Sequence, residues 1–281
     1  MDKGPVKLTP VTKEYIWGRE DWMLSWLHEG MEEVPLLIKI IHAREALSVQ
    51  VHPGDDFAQK TEQKSGKTEM WYVLDCEPGA YLYYGLKHRI SEEEFRKRIR
   101  NQTILEVCRK VPVKRGDVFY IPSGLLHAIG AGITVAEIQQ SSDLTYRVYD
   151  YNRENEAHEK RPLHIEQAAQ VAGFMPPLAG HHPMGQRVQK NGYSRTLLVQ
   201  CPYFVVQLYE IEKSCPGNTL RSFDSLLILD GEGVLYAGNK SMKLCAGDSI
   251  FLPKGIESYR IDGKMQLLIS AAEENREEQR T

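Results

Sequence analysis

Gly116-Asp117-Val118-Phe119-Tyr120-Ile121-Pro122-Ser123-Gly124-Leu125-Leu126-His127 is the stretch that decides how this chain folds. It returns as Gly247-Asp248-Ser249-Ile250-Phe251-Leu252-Pro253-Lys254-Gly255-Ile256-Glu257-Ser258 at a constant offset of 131, with Gly, Asp, Pro and Gly coinciding and the apolar positions in phase. Upstream, Glu69 to Asp75 matches Asp224 to Asp230 at an offset of 155, and the difference of 24 is about the size of one helix inserted in the first copy. Such a pattern predicts an internal duplication, two copies of one β module. The copies differ where chemistry would sit, because Glu69 and His127 of the first become Asp224 and Ser258 in the second. A metal held by the first copy would therefore lack its ligands in the second.

Working outward, short apolar or alternating runs bounded by Pro, Gly or Asp read as strands: Leu36 to Ile41, Ala46 to Val51, Glu69 to Leu74, Ala80 to Tyr84, Lys114 to Ile121, Gly132 to Gln139 and Thr145 to Asp150. They resume at Phe204 to Ile211, Leu226 to Leu229, Gly233 to Ala237, Ser249 to Leu252 and Gln266 to Ser270. Helical pieces are short: Asp55 to Gln63, a capping box with Ser91 as N-cap and Glu94 reaching back, and Ile165 to Ala172. A stretch from Glu20 to Glu29 puts Trp22, Trp26 and Leu27 on one helical face. The expected layout is an N-terminal segment 1–34 packing on the first module, a metal-binding module 35–150 with a helical insertion 91–109, a connector 151–200, a second module 201–272 without ligands and a frayed tail 273–281.

The 281 residues carry 35 Lys+Arg against 38 Asp+Glu, a formal charge of −3, so the chain as a whole offers nucleic acid no basic attraction. The N-terminus lacks the apolar stretch of a secretory signal. Val118 to Ala136 holds no Asp, Glu, Lys or Arg, but Pro122, Gly124, Gly130 and Gly132 break any helix there, and strand, turn, strand is the better reading than a membrane span. Five cysteines without a C-x-x-C pair argue against a disulfide framework and point to the cytosol.

Gln50 and His52 stand two apart on a predicted strand and so share a face. Glu69 opens another strand, and His127 follows the turn at Pro122. Two imidazoles, a carboxylate and an amide oxygen suit Zn²⁺ or another first-row divalent ion. The bland alternatives are a hydrogen-bonded histidine beside Pro53 and a turn histidine. The pair His181-His182, in a Pro/Gly loop, reads as solvent-exposed.

The motif G-D-x-x-x-I-P-x-G-x-x-H, at Gly116 to His127, resembles the second motif of the cupin superfamily, whose modules are jelly-roll-like β-barrels. At closer range, Leu47 to Asp55, Gly66 to Tyr72, Pro122 to Gly130, Glu137 to Asp150 and the variant element Trp17 to Trp22 are similar to the type I mannose-6-phosphate isomerases in their short bacterial form. The second copy resembles that family's C-terminal module only weakly. The resemblance implies a mainly β protein of two cupin modules with short helical insertions, one Zn²⁺ bound by Gln50, His52, Glu69 and His127, and a pocket lined by Lys67 and Arg147 with Asp143 nearby. It implies mannose 6-phosphate and fructose 6-phosphate as substrates, interconverted through a cis-enediolate. There the ion would act as Lewis acid, Arg147 would supply a permanent charge, and Lys67 beside Zn²⁺ and Arg⁺ would be a candidate base. On residue type alone, Lys67 is as well a solvated surface lysine, and Arg147 an ion-pair partner of Asp143 or Asp150. Two other classes stay open, an Fe(II) cupin oxygenase using two histidines and a carboxylate and a non-catalytic cupin that binds sugar phosphate. The expected partner is a small sugar phosphate, with neither nucleic acid nor membrane, and a homodimer is left open.

Overall fold

A computed structural model describes residues 4–154, 157–178 and 180–273. The chain forms two compact units. One comprises the residues up to Val11, Trp22–Ile38 and the chain from His182 onward; the other comprises Thr12–Asp21 and Lys39–His181.

The turn motif builds the same corner in each. Lys114 N–H donates to Asp117 Oδ2 at 2.9 Å and Cys245 N–H to Asp248 Oδ2 at 2.9 Å. Gly116 N–H reaches Val73 O at 2.9 Å, and Gly247 N–H reaches Ile228 O at 2.9 Å. Both glycines take a left-handed backbone, with φ of 90° and 88°, which a Cβ would oppose. Glu69 pairs with Ile121 and Asp224 with Leu252, so the two offsets read from the sequence correspond to one register. The fold is mainly β and of the cupin type.

In the first module a six-stranded sheet runs in the order Val11–Tyr15, Gly18–Leu24, Leu36–Ala43, Ile133–Gln140, Glu69–Cys76, Val118–Ile121. A five-stranded sheet runs Tyr146–Tyr149, Val49–Val51, His127–Ala128, Tyr81–Leu86, Cys108–Pro112. Trp71, Val73, Phe119, Ile121, Val135, Leu82 and Tyr84 fill the space between them. On the outer side of the five-stranded sheet, Val49, Val51 and Val148 pack with Phe57 of helix α1 (Asp55–Glu62), Phe95 and Ile99 of helix α2 (Glu92–Arg100) and Ala168 and Ala169 of helix α3 (Ile165–Val171). One face of that sheet is thus committed to helices, which leaves Gln50 and Arg147 on the other. The second module is a nine-stranded antiparallel assembly around Leu226, Leu235, Ile250, Ile261 and Leu267.

Several expectations need correction. Residues 1–34 do not pack as one piece on the first module. Val6–Leu8 adds to the edge of Ser249–Leu252, where Lys7 Nζ meets Asp248 at 2.6 Å, and only Thr12–Asp21 lies in the same unit as Lys39–His181. The amphipathic stretch near Trp22 is a strand, not a helix, because Glu20, Trp22 and Leu24 alternate inward while Leu27 stays exposed. Ser91 Oγ caps α2 by accepting from Glu94 N–H at 3.0 Å, yet Glu94 does not reach back: its carboxylate takes Arg98 at 2.8 Å. The helical insertion stops short of 109, since Cys108–Pro112 is a strand paired with Tyr81–Leu86. The connector ends before 200, because Tyr193–Gln200 pairs along Phe204–Ile211. Of the tail expected to fray, 274–281 lies outside the described residues, and Glu273 N–H donates to Tyr203 O at 3.2 Å. Among the described residues no helix is long and apolar enough to cross a membrane.

Gly247 has open space around it, and the nearest atom to a Cβ at Gly116 is Tyr72 Oη at 4.0 Å. Substituting Ala therefore isolates the backbone cost. Gly116→Ala and Gly247→Ala should each destabilise by about 1–2 kcal/mol, read as a shift of the urea midpoint. A shift below the error of the fit in either variant would contradict a shared left-handed corner.

Candidate metal centre

Three strands and a turn deliver the cluster. In the five-stranded sheet Arg147 stands opposite Gln50, Gln50 opposite His127 and His127 opposite Tyr84, so their side chains leave one face in a row. From the facing sheet comes Glu69, the first residue of its strand, opposite both Ile121 and Gln139. His52 follows the Val49–Val51 strand, and its carbonyl accepts from Gly124 N–H at 2.8 Å, which ties it to the turn before His127.

His52 Nε2 lies 3.5 Å from Glu69 Oε2, and His127 Nε2 lies 3.4 Å from Glu69 Oε1. The three side chains can offer ligand atoms all within 4.8 Å of one another, and each residue is at most 1% exposed. Gln50 brings its amide within 3.4 Å of His127 Nε2. Main-chain carbonyls orient both rings, Leu144 O accepting from His52 Nδ1 at 2.9 Å and Leu125 O from His127 Nδ1 at 2.7 Å. With the proton on Nδ1, each Nε2 lone pair faces the cluster. Burial pushes the His127 pKa down to about 4, and burial with the Lys67 charge pushes His52 well below its usual value, so both rings are neutral. His52 Nε2 and Glu69 Oε1 have no hydrogen-bond partner among the described residues, and Glu69 Oε2 meets the Lys67 ammonium at 2.8 Å. Convergent buried acceptors short of donors fit a divalent cation.

Lys67 is not a solvated lysine. It is 5% exposed, with Nζ 2.8 Å from Glu69 Oε2 and 3.9 Å from Glu137 Oε1. The charges continue inward: Lys39 Nζ lies 3.0 Å from Glu137 and 3.6 Å from Glu20, and Trp71 Nε1–H donates to Glu137 Oε2 at 3.0 Å. Burial and the neighbouring Glu137 raise the Glu69 pKa, whereas at Glu137 the two lysines outweigh burial and lower it. Sequence reasoning missed Lys39, Glu20 and Trp71. The signal available was one lysine inside the apolar run Leu36-Leu37-Ile38-Lys39-Ile40-Ile41, since a buried charge needs a partner.

Arg147 lies on the row but does not pair with Asp143 or Asp150. Its Nη1 donates to Pro162 O at 3.1 Å, and its Nε is buried without a partner among the described residues. Asp150 is taken by Arg153 at 2.5 Å and by Arg161 at 2.7 and 2.5 Å. The expected role for Asp143 beside Arg147 is not met: its carboxylate is exposed and holds Lys64 Nζ at 3.0 Å. Of the two loop histidines only His182 is exposed; His181 stacks on Phe119 with centroids 5.2 Å apart.

At the corresponding places of the second module stand Thr219, whose carbonyl accepts from Gly255 N–H at 2.9 Å as His52 does from Gly124, Asp224 in the register of Glu69, and Ser258. Tyr259 Oη–H donates to Asp224 Oδ2 at 2.7 Å.

Antiparallel sheets, the repeated glycine corner and a buried His/Glu/His cluster define a cupin with a candidate metal centre in its first copy. Residues 194–272 match the family model described as mannose-6-phosphate isomerase, cupin domain, which falls on the copy whose motifs resembled the family least. The mannose-6-phosphate isomerase of Streptococcus mutans is 40% identical over 240 residues, covering 85% of this chain and 75% of the relative. Mannose-6-phosphate isomerase ManA of Bacillus subtilis is 36% identical over 260 residues, covering 92% and 81%. A crystal structure of the mannose 6-phosphate isomerase from Bacillus subtilis superposes with a TM-score of 0.87 at 31% identity, over 95% of this chain and 99% of that one. The chain belongs to the type I mannose-6-phosphate isomerase family, a family of cupin enzymes.

Asp224 offers a test free of any metal. Burial lifts its pKa from 3.8 to about 6, partly offset by the Tyr259 hydroxyl. A carboxyl whose folded pKa is raised contributes stability below its unfolded pKa and loses it as pH rises through the folded one. Relative to Asp224→Asn, the wild type should lose about 2–3 kcal/mol between pH 4 and 6. Parallel stability curves for the two proteins would contradict a buried acid at this position.

Proposed function

We propose that the chain is a zinc-dependent aldose–ketose isomerase that interconverts mannose 6-phosphate and fructose 6-phosphate. The observation that carries the metal is the convergence of buried ligand atoms of His52, Glu69 and His127, all within 4.8 Å of one another, with His52 Nε2 and Glu69 Oε1 lacking a donor among the described residues. Membership of the family carries the reaction. His52, Glu69, His127 and the Gln50 amide would hold the ion, and two neutral nitrogens with two oxygens match the borderline softness of zinc. When bound, the ion supplies a fixed positive charge that polarises a carbonyl beside it.

The chain's own groups supply the rest. Lys67 Nζ stands between Glu69 and Glu137 and is the group placed to hold or pass a proton at the reacting carbons. Glu137, fixed by Lys39 and Trp71, keeps Lys67 from swinging away. Arg147 brings a guanidinium that feels the charges of Arg161, Asp150 and Arg153. Three arginines around one carboxylate leave an excess of positive charge, which suits an anionic substrate and favours a phosphate ester over a free sugar.

A coupled assay with mannose 6-phosphate tests this on the wild type, His127→Ala and Arg147→Ala. His127→Ala should lose its bound metal and at least 10³-fold in activity. Arg147→Ala should keep the metal and lose about 10²–10³-fold in kcat, the scale of removing one preorganised charged group. Unchanged turnover in Arg147→Ala would remove that assignment. Bound iron with oxygen uptake and no sugar conversion would overturn the isomerase.

A further inference from the structure

Gln139 is an unused group at the centre of the first module. It lies directly opposite Glu69 in the antiparallel pair, so the two side chains leave the same face with Cβ atoms about 5 Å apart. The residue is 0% exposed. Its Nε2 donates to Gln140 O at 2.8 Å and to Ser142 O at 2.6 Å, which uses both amide hydrogens and settles which end is oxygen. Gln139 Oε1 is left buried with no partner among the described residues. An amide oxygen abandoned in a dry interior costs about 1–3 kcal/mol, and the loop that holds Nε2 also supplies Leu144 O to His52.

We propose that Gln139 Oε1 is a substrate-binding acceptor that takes a hydrogen bond from a hydroxyl of the open-chain sugar. The proposal rests on the isomerase reading of this site and names a residue which that reading does not use. The chemistry of the two ends of a sugar phosphate decides the assignment. At neutral pH a phosphate carries acceptors and negative charge but few protons to donate, whereas each hydroxyl-bearing carbon brings a donor. Gln139 Oε1, on a residue in register with Glu69, therefore welcomes the polyol end and disfavours the phosphate, which is left to the arginine-rich side at Arg147. Gln139 orients the substrate as well as holding it, and a ligand without a hydroxyl at this point leaves the acceptor unpaired.

Calorimetric titration with mannitol 6-phosphate, a polyol that cannot react, tests this on metal-loaded wild type and Gln139→Met, with metal content measured on both. The expected result is equal metal content and binding weakened at least tenfold in Gln139→Met. Gln139→Asn keeps the amide but withdraws its oxygen by one methylene, so it should weaken binding in the same direction if Gln139→Met does not fold. Wild-type binding matched by an equally tight variant would overturn the role of Gln139, a buried water then being its partner, and leave the isomerase reading standing. Loss of metal from either variant would also overturn it, by moving Gln139 into the support of the ion. A wild type that turns over mannose 6-phosphate but ignores mannitol 6-phosphate would overturn it as well. A wild type that neither binds the polyol nor isomerises the sugar would overturn both readings.

Discussion

A carboxylate withdrawn from water must meet positive charge or take up a proton. Glu69 is fully buried at the head of its strand, and most of what surrounds it answers that demand. Lys67 provides the ammonium at 2.8 Å; Glu137 then has to balance Lys67, Lys39 to balance Glu137, and Glu20 to balance Lys39. The result is an alternating ladder of charges running through a core otherwise filled by Trp71, Phe119 and Tyr84. No single rung is stable alone, because removing one partner leaves an uncompensated charge out of water. The two imidazoles join the ladder as neutral groups, their Nδ1 protons given to carbonyls and their Nε2 lone pairs turned to Glu69.

The second module shows which features serve the fold and which serve chemistry. Both modules have the left-handed glycine, the Asp that accepts from the residue three before it, and the acid in register with the corner strand. Where the first places two imidazoles and a lysine about its acid, the second answers Asp224 with one tyrosine hydroxyl. A β-barrel of this kind does not need the ligands to close, so their presence in one copy is a statement about function.

The corner motif was legible because it is dictated locally: only glycine tolerates its backbone, and only a short carboxylate reaches its donor. Part of the candidate cluster was legible for a related reason, since Gln50 and His52 stand two apart and an extended chain turns both the same way, although the strand itself ends at Val51. Lys39, Glu20 and Trp71 became meaningful only when strands far apart in sequence were paired, as the 98 residues between Lys39 and Glu137 illustrate. Asp143 misled because its place in a family motif says nothing of the direction its side chain takes; it turns outward to Lys64. The stretch from Glu20 misled because Trp22 and Trp26, four apart, imitate a helical face, while Glu20, two residues before the first of them, belongs inside beside Lys39.

The central claim is that the buried acceptors around Glu69 form a zinc site on which sugar isomerisation depends. It is tested most directly by stripping the purified protein with a chelator and following fructose 6-phosphate formation as zinc is added back. Activity should be absent at first, rise in proportion to added zinc and level off at one ion per chain. Full activity in the stripped protein, or a rate indifferent to added zinc, would contradict it.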